Sequence, residues 1–193
     1  RFILIGLEAA DDHTLARLKK GYQIHHLERC LGWMTKYGLH PHLTIMVGYY
    51  WQTQEQINKT VSFVKGLMLK GLARTLQVTL CTPLDFTEYH EECIREGVLL
   101  TRNYDDHDMS KLIVKTPIPH DNYYDAVRQM YSLAFHPKFI LRQLRFLFSF
   151  RLRDWQFLFT YGLRAIRRVR QHIFNLTREE GKSEGKLDPA HVD

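Results

Sequence analysis

The chain has 193 residues, 45% of them hydrophobic and 25% charged, with 11 Gly and 6 Pro, a composition that excludes disorder, collagen-like repeats and a disulfide scaffold. No run of 18 apolar residues is present to cross a membrane, and no charged-then-apolar leader precedes a small-residue cleavage site. The net charge of +6 is unevenly placed: residues 1–135 hold 15 basic and 15 acidic groups, whereas residues 136–193 hold 12 and 6.

The chain enters the strand-like run Phe2–Leu7 directly after Arg1, as expected of a piece of a longer protein. Two similar runs follow, Leu43–Val47 and Leu76–Leu80. Continuous apolar runs of this kind suit parallel strands covered on both faces. Between the first two, Ile24, Leu27, Leu31 and Met34 recur at helical spacing, with Gly38 placed as a C-cap. Thr53 and Gln56 form a capping box ahead of Ile57, Val61, Val64 and Met68. A third helix is expected within Thr87–Gly97, beyond Pro83. The result is a βαβαβα pattern of roughly 35–40 residues per unit, read as consecutive units of a larger α/β barrel. Polar Asn103–Asp108 reads as a loop returning over that barrel, and Asp121–Phe135 as a helix punctuated by His136-Pro137.

Barrel ligands sit above the C-terminal ends of the strands. The candidates there are Gly6-Leu7-Glu8, Met46-Val47-Gly48 and Cys81-Thr82-Pro83. Alternation places the small Gly6 just below the Glu8 carboxylate. That carboxylate is suited either to accept hydrogen bonds from a ribose diol or to pair with a neighbouring loop. Thr44, Met46 and Gly48 share a strand face, where Met46 either packs a flat ring or belongs to the core. Cys81 reads as a small core hydrophobe, since no His or Asp pattern accompanies it. The three cysteines, Cys30, Cys81 and Cys93, are an odd set with no close pair, which points to reduced thiols in a cytoplasmic protein. No metal site is expected: His25 and His26 point about 100° apart on one helix, and His40 and His42 lie at a strand start. No P-loop, dinucleotide fingerprint or nucleophile elbow is present.

Ile5-Gly6-Leu7-Glu8-Ala9-Ala10, Lys20-Gly21 and His42–Tyr49 come in an order and spacing that resemble the second half of a radical S-adenosylmethionine enzyme. Thr82-Pro83, Glu91–Gly97, Tyr104-Asp105, Leu112–Pro117 and His136–Ile140 extend the likeness to roughly residues 1–175, and to the subgroup with an N-terminal cobalamin-binding domain. The resemblance implies an α/β fold, the C-terminal three βα units of a partial (β/α)6 TIM-like barrel, followed by an α-helical basic tail. Residues 1–100 would be units four to six, 101–135 a loop and helix packed on them, 136–178 the tail, and 179–193 disordered.

By the same resemblance Glu8 is the acidic residue that contacts the ribose of S-adenosylmethionine, Thr44, Met46 and Gly48 lie along the adenine, and Thr82 closes the far side. The family's Gly-x-Ile-x-Gly becomes Thr44, Met46 and Gly48. Its Gly-Tyr-Pro-Gly/Trp-Glu-Thr loop becomes Gly48-Tyr49-Tyr50-Trp51-Gln52-Thr53, without the Pro or the acid, and its later Pro-Gly is Asp85-Phe86. The [4Fe-4S] cluster of the family is held by Cys-x3-Cys-x2-Cys. Cys30, Cys81 and Cys93, with 50 and 11 residues between them, do not supply that motif, so cluster and cobalamin would be held outside this chain. The parent would generate a 5′-deoxyadenosyl radical to methylate, cyclise or rearrange an unactivated carbon of a small-molecule or lipid-like substrate, and the chain alone would be inactive.

From Lys138 to Arg178 ten Lys and Arg and one acid, Asp154, interleave with large apolar residues. Three readings stand: helices whose apolar sides pack on the barrel with Arg solvated, an interfacial element on an anionic inner-membrane surface, or phosphate binding to nucleic acid. The last is the least favoured, because no reading motif accompanies the charge. The rival class to the radical enzyme is a non-catalytic barrel fragment whose basic tail binds a membrane or a partner.

Overall fold

The computed structural model describes residues 1–147 and, beyond them, residue 167. The expectations for residues 148–178 and 179–193 otherwise lie outside the described residues. Three strands, β1 (Phe2–Glu8), β2 (His40–Val47) and β3 (Thr75–Leu80), form one parallel sheet in the order β1-β2-β3. Six helices accompany them among the described residues: α1 (Asp12–Arg17), α2 (Ile24–Lys36), α3 (Gln54–Lys70), α4 (Glu88–Arg95), α5 (His120–Ser132) and α6 (Pro137–Leu147). The chain is therefore an α/β protein with a parallel sheet. None of the described helices is long and apolar enough to cross a membrane.

The punctuation of the sequence explains the helix ends. Thr53 accepts from the Gln56 amide while the Gln56 side chain returns to the Thr53 amide, so the capping box starts α3. Gly38 adopts φ +74° just past α2, where the Leu39 amide reaches the Met34 carbonyl and the Gly38 amide reaches that of Thr35. This is the Schellman arrangement, which needs a left-handed residue. The short α1 escapes periodicity and rests on its N-cap, Asp11, which accepts from the Thr14 amide at 2.8 Å.

Alternation along the strands sorts the sheet into two unlike faces. Leu43, Ile45 and Val47 of β2 are fully buried. They share one core with Leu27 and Leu31 of α2, Ile57, Val64 and Leu67 of α3, and Tyr123, Val127 and Met130 of α5. The opposite face is not covered: Phe2 and Leu4 are 58% and 68% exposed and Met46 37%. This corrects the expectation that both faces are covered. Each strand is added on the same side of the one before it, so crossovers of a single hand place α2 and α3 on the same face, where α5 joins them. The apolar runs hide this, because Phe2, Leu4 and Met46 stand on the bare face.

The outer edge of β3 is closed by a side chain. The Tyr131 hydroxyl, from α5, accepts from the Val78 amide at 3.1 Å and donates to the Val78 carbonyl at 3.0 Å. No strand pairs with the outer edge of β1 among the described residues.

α6 docks through both polar and aromatic side chains. Arg142 donates to the carbonyls of Met68 and Leu69 at 2.8 and 2.9 Å, which satisfies orphan acceptors at the end of α3. Gln143 donates to the Arg74 carbonyl at 2.8 Å, and the Phe146 ring lies 4.1 Å from the Arg74 guanidinium carbon. Ile140, Leu141 and Leu144 point outward instead. In this first stretch of the tail the inner side is thus mixed: Arg142 and Gln143 meet carbonyls, Phe139 packs on the core, and Arg145 is exposed as are Ile140, Leu141 and Leu144.

Replacing Tyr131 by Phe removes both bonds to the fully buried Val78 backbone. The expected cost is roughly 1–3 kcal/mol, seen in urea unfolding as a lower midpoint with unchanged m-value.

Candidate functional site at the ends of the strands

The C-terminal end of the sheet gathers the chain's buried polar groups. At the end of β1 the register slips between Gly6 and Glu8, and Glu8 adopts φ +59°, a left-handed conformation that costs a non-glycine residue about 1 kcal/mol or more. Its carboxylate folds back over Gly6, so that a Cβ on Gly6 would lie 2.7 Å from Oε1. Lys20 Nζ holds Oε1 at 2.7 Å, whereas Oε2 is buried with no hydrogen-bond partner. The Tyr22 hydroxyl donates to the Gly6 carbonyl at 2.7 Å, and its pKa is pushed up to about 12 by burial and then by the nearby Glu8 charge. Glu8 therefore pairs one oxygen with a loop lysine, one of the two alternatives its strand-end position left open, and keeps the other without a hydrogen-bond partner.

On β2, Thr44 sits half-buried with its hydroxyl 3.5 Å from the Ile5 carbonyl, and Met46 stands on the bare face. Gly48 follows the strand at φ +97° and is buried, and a Cβ there would overlap the Leu112 side chain. The close approach that glycine permits is taken up by the chain's own returning segment. The Gly48 amide donates to Gln52 Oε1 at 2.9 Å, and Tyr123 donates to the Gln52 carbonyl at 2.7 Å. Gln52 is fully buried, and its Nε2 has no partner. Past β3, the Thr82 hydroxyl is likewise buried and unpartnered. Three consecutive strand ends thus each present a polar atom withdrawn from water and unsatisfied by protein, a state costing about 1–3 kcal/mol per group.

Aromatic rings roof this end. Tyr49 stacks on Trp51 with centroids 5.0 Å apart, and Tyr89 meets both edge-on. Arg17 of α1 lies 3.8 Å over Trp51 and pairs with Tyr50 and with Glu92 of α4. The Arg17 hydrogen bond is the main reason the Glu92 carboxyl is held below its ordinary range. Burial pushes up the phenols of Tyr49 and Tyr89 and the Cys81 thiol, which makes Cys81 a poor nucleophile. The segment from 98 to 114, tied by an antiparallel bridge between Leu99 and Val114, carries the buried His107, whose ring nitrogens have no partner. His107 lies 6.2 Å from His90, which faces Asp85 at 3.3 Å.

Cys30 is exposed on α2, whereas Cys81 and Cys93 are buried around Tyr89. Among the described residues no three His, Cys, Asp or Glu side chains gather to hold a metal ion. Sequence reasoning did not assign roles to Lys20, Tyr22 or Gln52. The only signal for Gln52 was its place four residues after Gly48, and Lys20 and Tyr22 lie in a loop whose path no periodicity reveals. No family model matches the chain, and no curated protein matches it.

Folding holds the Tyr22 proton above the ordinary 10.0, at about 12. The unfolded chain therefore ionises first, and the stability from this group is complete below pH 10 and lost as pH rises from 10 to 12. Tyr22→Phe is expected to flatten the alkaline fall in stability, read from urea midpoints measured across that window.

Proposed function

We propose that the chain supplies the last three βα units of a six-unit radical S-adenosylmethionine barrel of the cobalamin-domain subgroup, acting on a small-molecule or lipid-like substrate. The observation that carries this reading is the set of unpartnered polar atoms, Glu8 Oε2, Gln52 Nε2 and Thr82 Oγ1, at three consecutive strand ends. Polar atoms so placed are suited to a polar ligand above the sheet. The single direction of strand addition and the bare sheet face also favour it, since a barrel wall has helices outside and an inner face that the remaining units close.

An adenosyl ligand fits the acceptor and donors present, and Met46 stands on the open face beside them. Glu8 Oε2 accepts a ribose hydroxyl, while Lys20 fixes the other oxygen, so the carboxylate engages the sugar through one oxygen. The Thr82 hydroxyl holds the opposite side. Thr44 and Met46 line the ring, and Leu112, seated on Gly48, supplies the apolar contact that the bare glycine was expected to make. The reductive chemistry would be supplied by a cluster held elsewhere, while Glu8, Thr44, Met46 and Thr82 would hold the adenosyl group. The described residues of this chain do not gather ligands for it, so the reading places cluster and cobalamin in upstream parts of a parent chain.

The coding sequence upstream of Arg1 is expected to encode Cys-x3-Cys-x2-Cys two to three βα units earlier. A frame that closes just before Arg1, or opens into a barrel lacking these cysteines, rejects the proposal. In the longer chain, Glu8→Gln is expected to raise the KM for S-adenosylmethionine about tenfold through loss of a charge-assisted hydrogen bond, leaving the cluster absorption intact. Residues 1–193 alone, given iron and sulfide, are expected to show no stoichiometric cluster band.

A further inference from the structure

We propose that α6 docks the protein on an anionic lipid bilayer, an inference that does not rest on the radical-enzyme reading. An amphipathic helix ordinarily buries its apolar stripe against its own domain. α6 buries Arg142 and Gln143 against carbonyls of α3 and of Arg74, and sets Phe146 between the Arg74 guanidinium and the His40 ring, 4.7 Å away. Phe139 completes this inner side by packing on the core. The Arg142 and Gln143 side chains on that side each have a task within the fold, and together with Phe139 and Phe146 they fix which face of the helix is turned inward.

What remains outside is apolar. Ile140, Leu141 and Leu144 are 42%, 61% and 46% exposed, and Phe135, just before the helix, is 77% exposed. At 100° per residue the three helical side chains fall within roughly 100° of arc, with exposed Arg145 and Lys138 along one flank. No acidic residue occurs in α6. A narrow apolar stripe edged by cations suits the boundary between headgroups and acyl chains, where bilayer and lipid charge each satisfy one part of the surface. The ten basic groups against one acid from Lys138 to Arg178 give the same sign of charge beyond the helix. This complementarity selects anionic lipid over an apolar protein groove, which would leave Lys138 and Arg145 without partners.

Position gives the docked orientation. α6 sits at the C-terminal end of α3 and at the starts of β2 and β3, through His40 and Arg74. Glu8, Gln52 and Thr82 lie at the opposite end of the sheet. A protein held by α6 therefore turns those residues away from the bilayer.

Flotation of the 193-residue chain with phosphatidylcholine vesicles, with and without about a quarter phosphatidylglycerol, tests this. The expected result is co-flotation with the anionic vesicles only, weakened about tenfold or more on going from low salt to about 0.5 M. The double variant Leu141→Ser/Leu144→Ser is expected to lose roughly tenfold in vesicle partitioning, with the melting temperature of the free chain unchanged because both side chains are exposed. Absence of flotation at low salt overturns the proposal, as does flotation indifferent to the two leucines. A drop in melting temperature overturns it too, by showing that the stripe is covered by the chain's own residues 148–178. Binding to duplex DNA that matches vesicle binding and ignores both leucines does the same.

Discussion

Leu43, Ile45 and Val47 alternate along β2 with His42, Thr44 and Met46, and nearly everything else in the molecule follows from which of these sets is covered. The strands are laid down in sequence order and in parallel, so each crossover helix arrives on the side already occupied by its predecessor. α2, α3 and α5 therefore compete for one face and share one core, while the other face keeps its polar and isolated apolar residues bare. Tyr131 becomes intelligible in that setting. A sheet with a single buried layer cannot hide the last strand beneath a second layer, so a hydroxyl from α5 satisfies the backbone at Val78 instead.

The strand ends show how a fold tolerates local cost where ligands are expected to bind. Glu8 holds a left-handed backbone at a register slip, leans over a glycine that leaves no room for a methyl group, and has only half of its carboxylate satisfied. Arg17, by contrast, is paired: it ties α1 to α4 across the aromatic residues after β2. Strained and unsatisfied groups beneath thus stand against hydrogen-bonded and ion-paired groups above.

Much of the fold was legible because its signals are local. Apolar runs marked the three strands, the Thr53–Gln56 pair marked the start of α3, and Gly38 marked the end of α2. Each of these depends on neighbours within about four residues. The bare sheet face was not legible, since Phe2, Leu4 and Met46 look like core residues until the path of the crossovers is known. Glu8, Thr44, Met46, Gly48 and Thr82 could be named from position at strand ends. Their partners could not: Lys20 lies 12 residues from Glu8 and Leu112 far along the chain from Gly48. A contact between loops leaves no periodic trace in the sequence. The inner side of α6 was not legible for a related reason, because the need of the α3 terminus for donors arises only when the two helices meet.

The closed edge of β3 also bears on how copies of this protein associate. A sheet with two free edges can pass strand pairing from copy to copy without limit, which is the route to fibres. Here the Tyr131 hydroxyl occupies the amide and carbonyl of Val78 on the outer edge of β3, and among the described residues no strand pairs with either outer edge of the sheet. A single tyrosine hydroxyl thereby denies a neighbouring copy the two backbone groups at Val78 that pairing onto β3 would use.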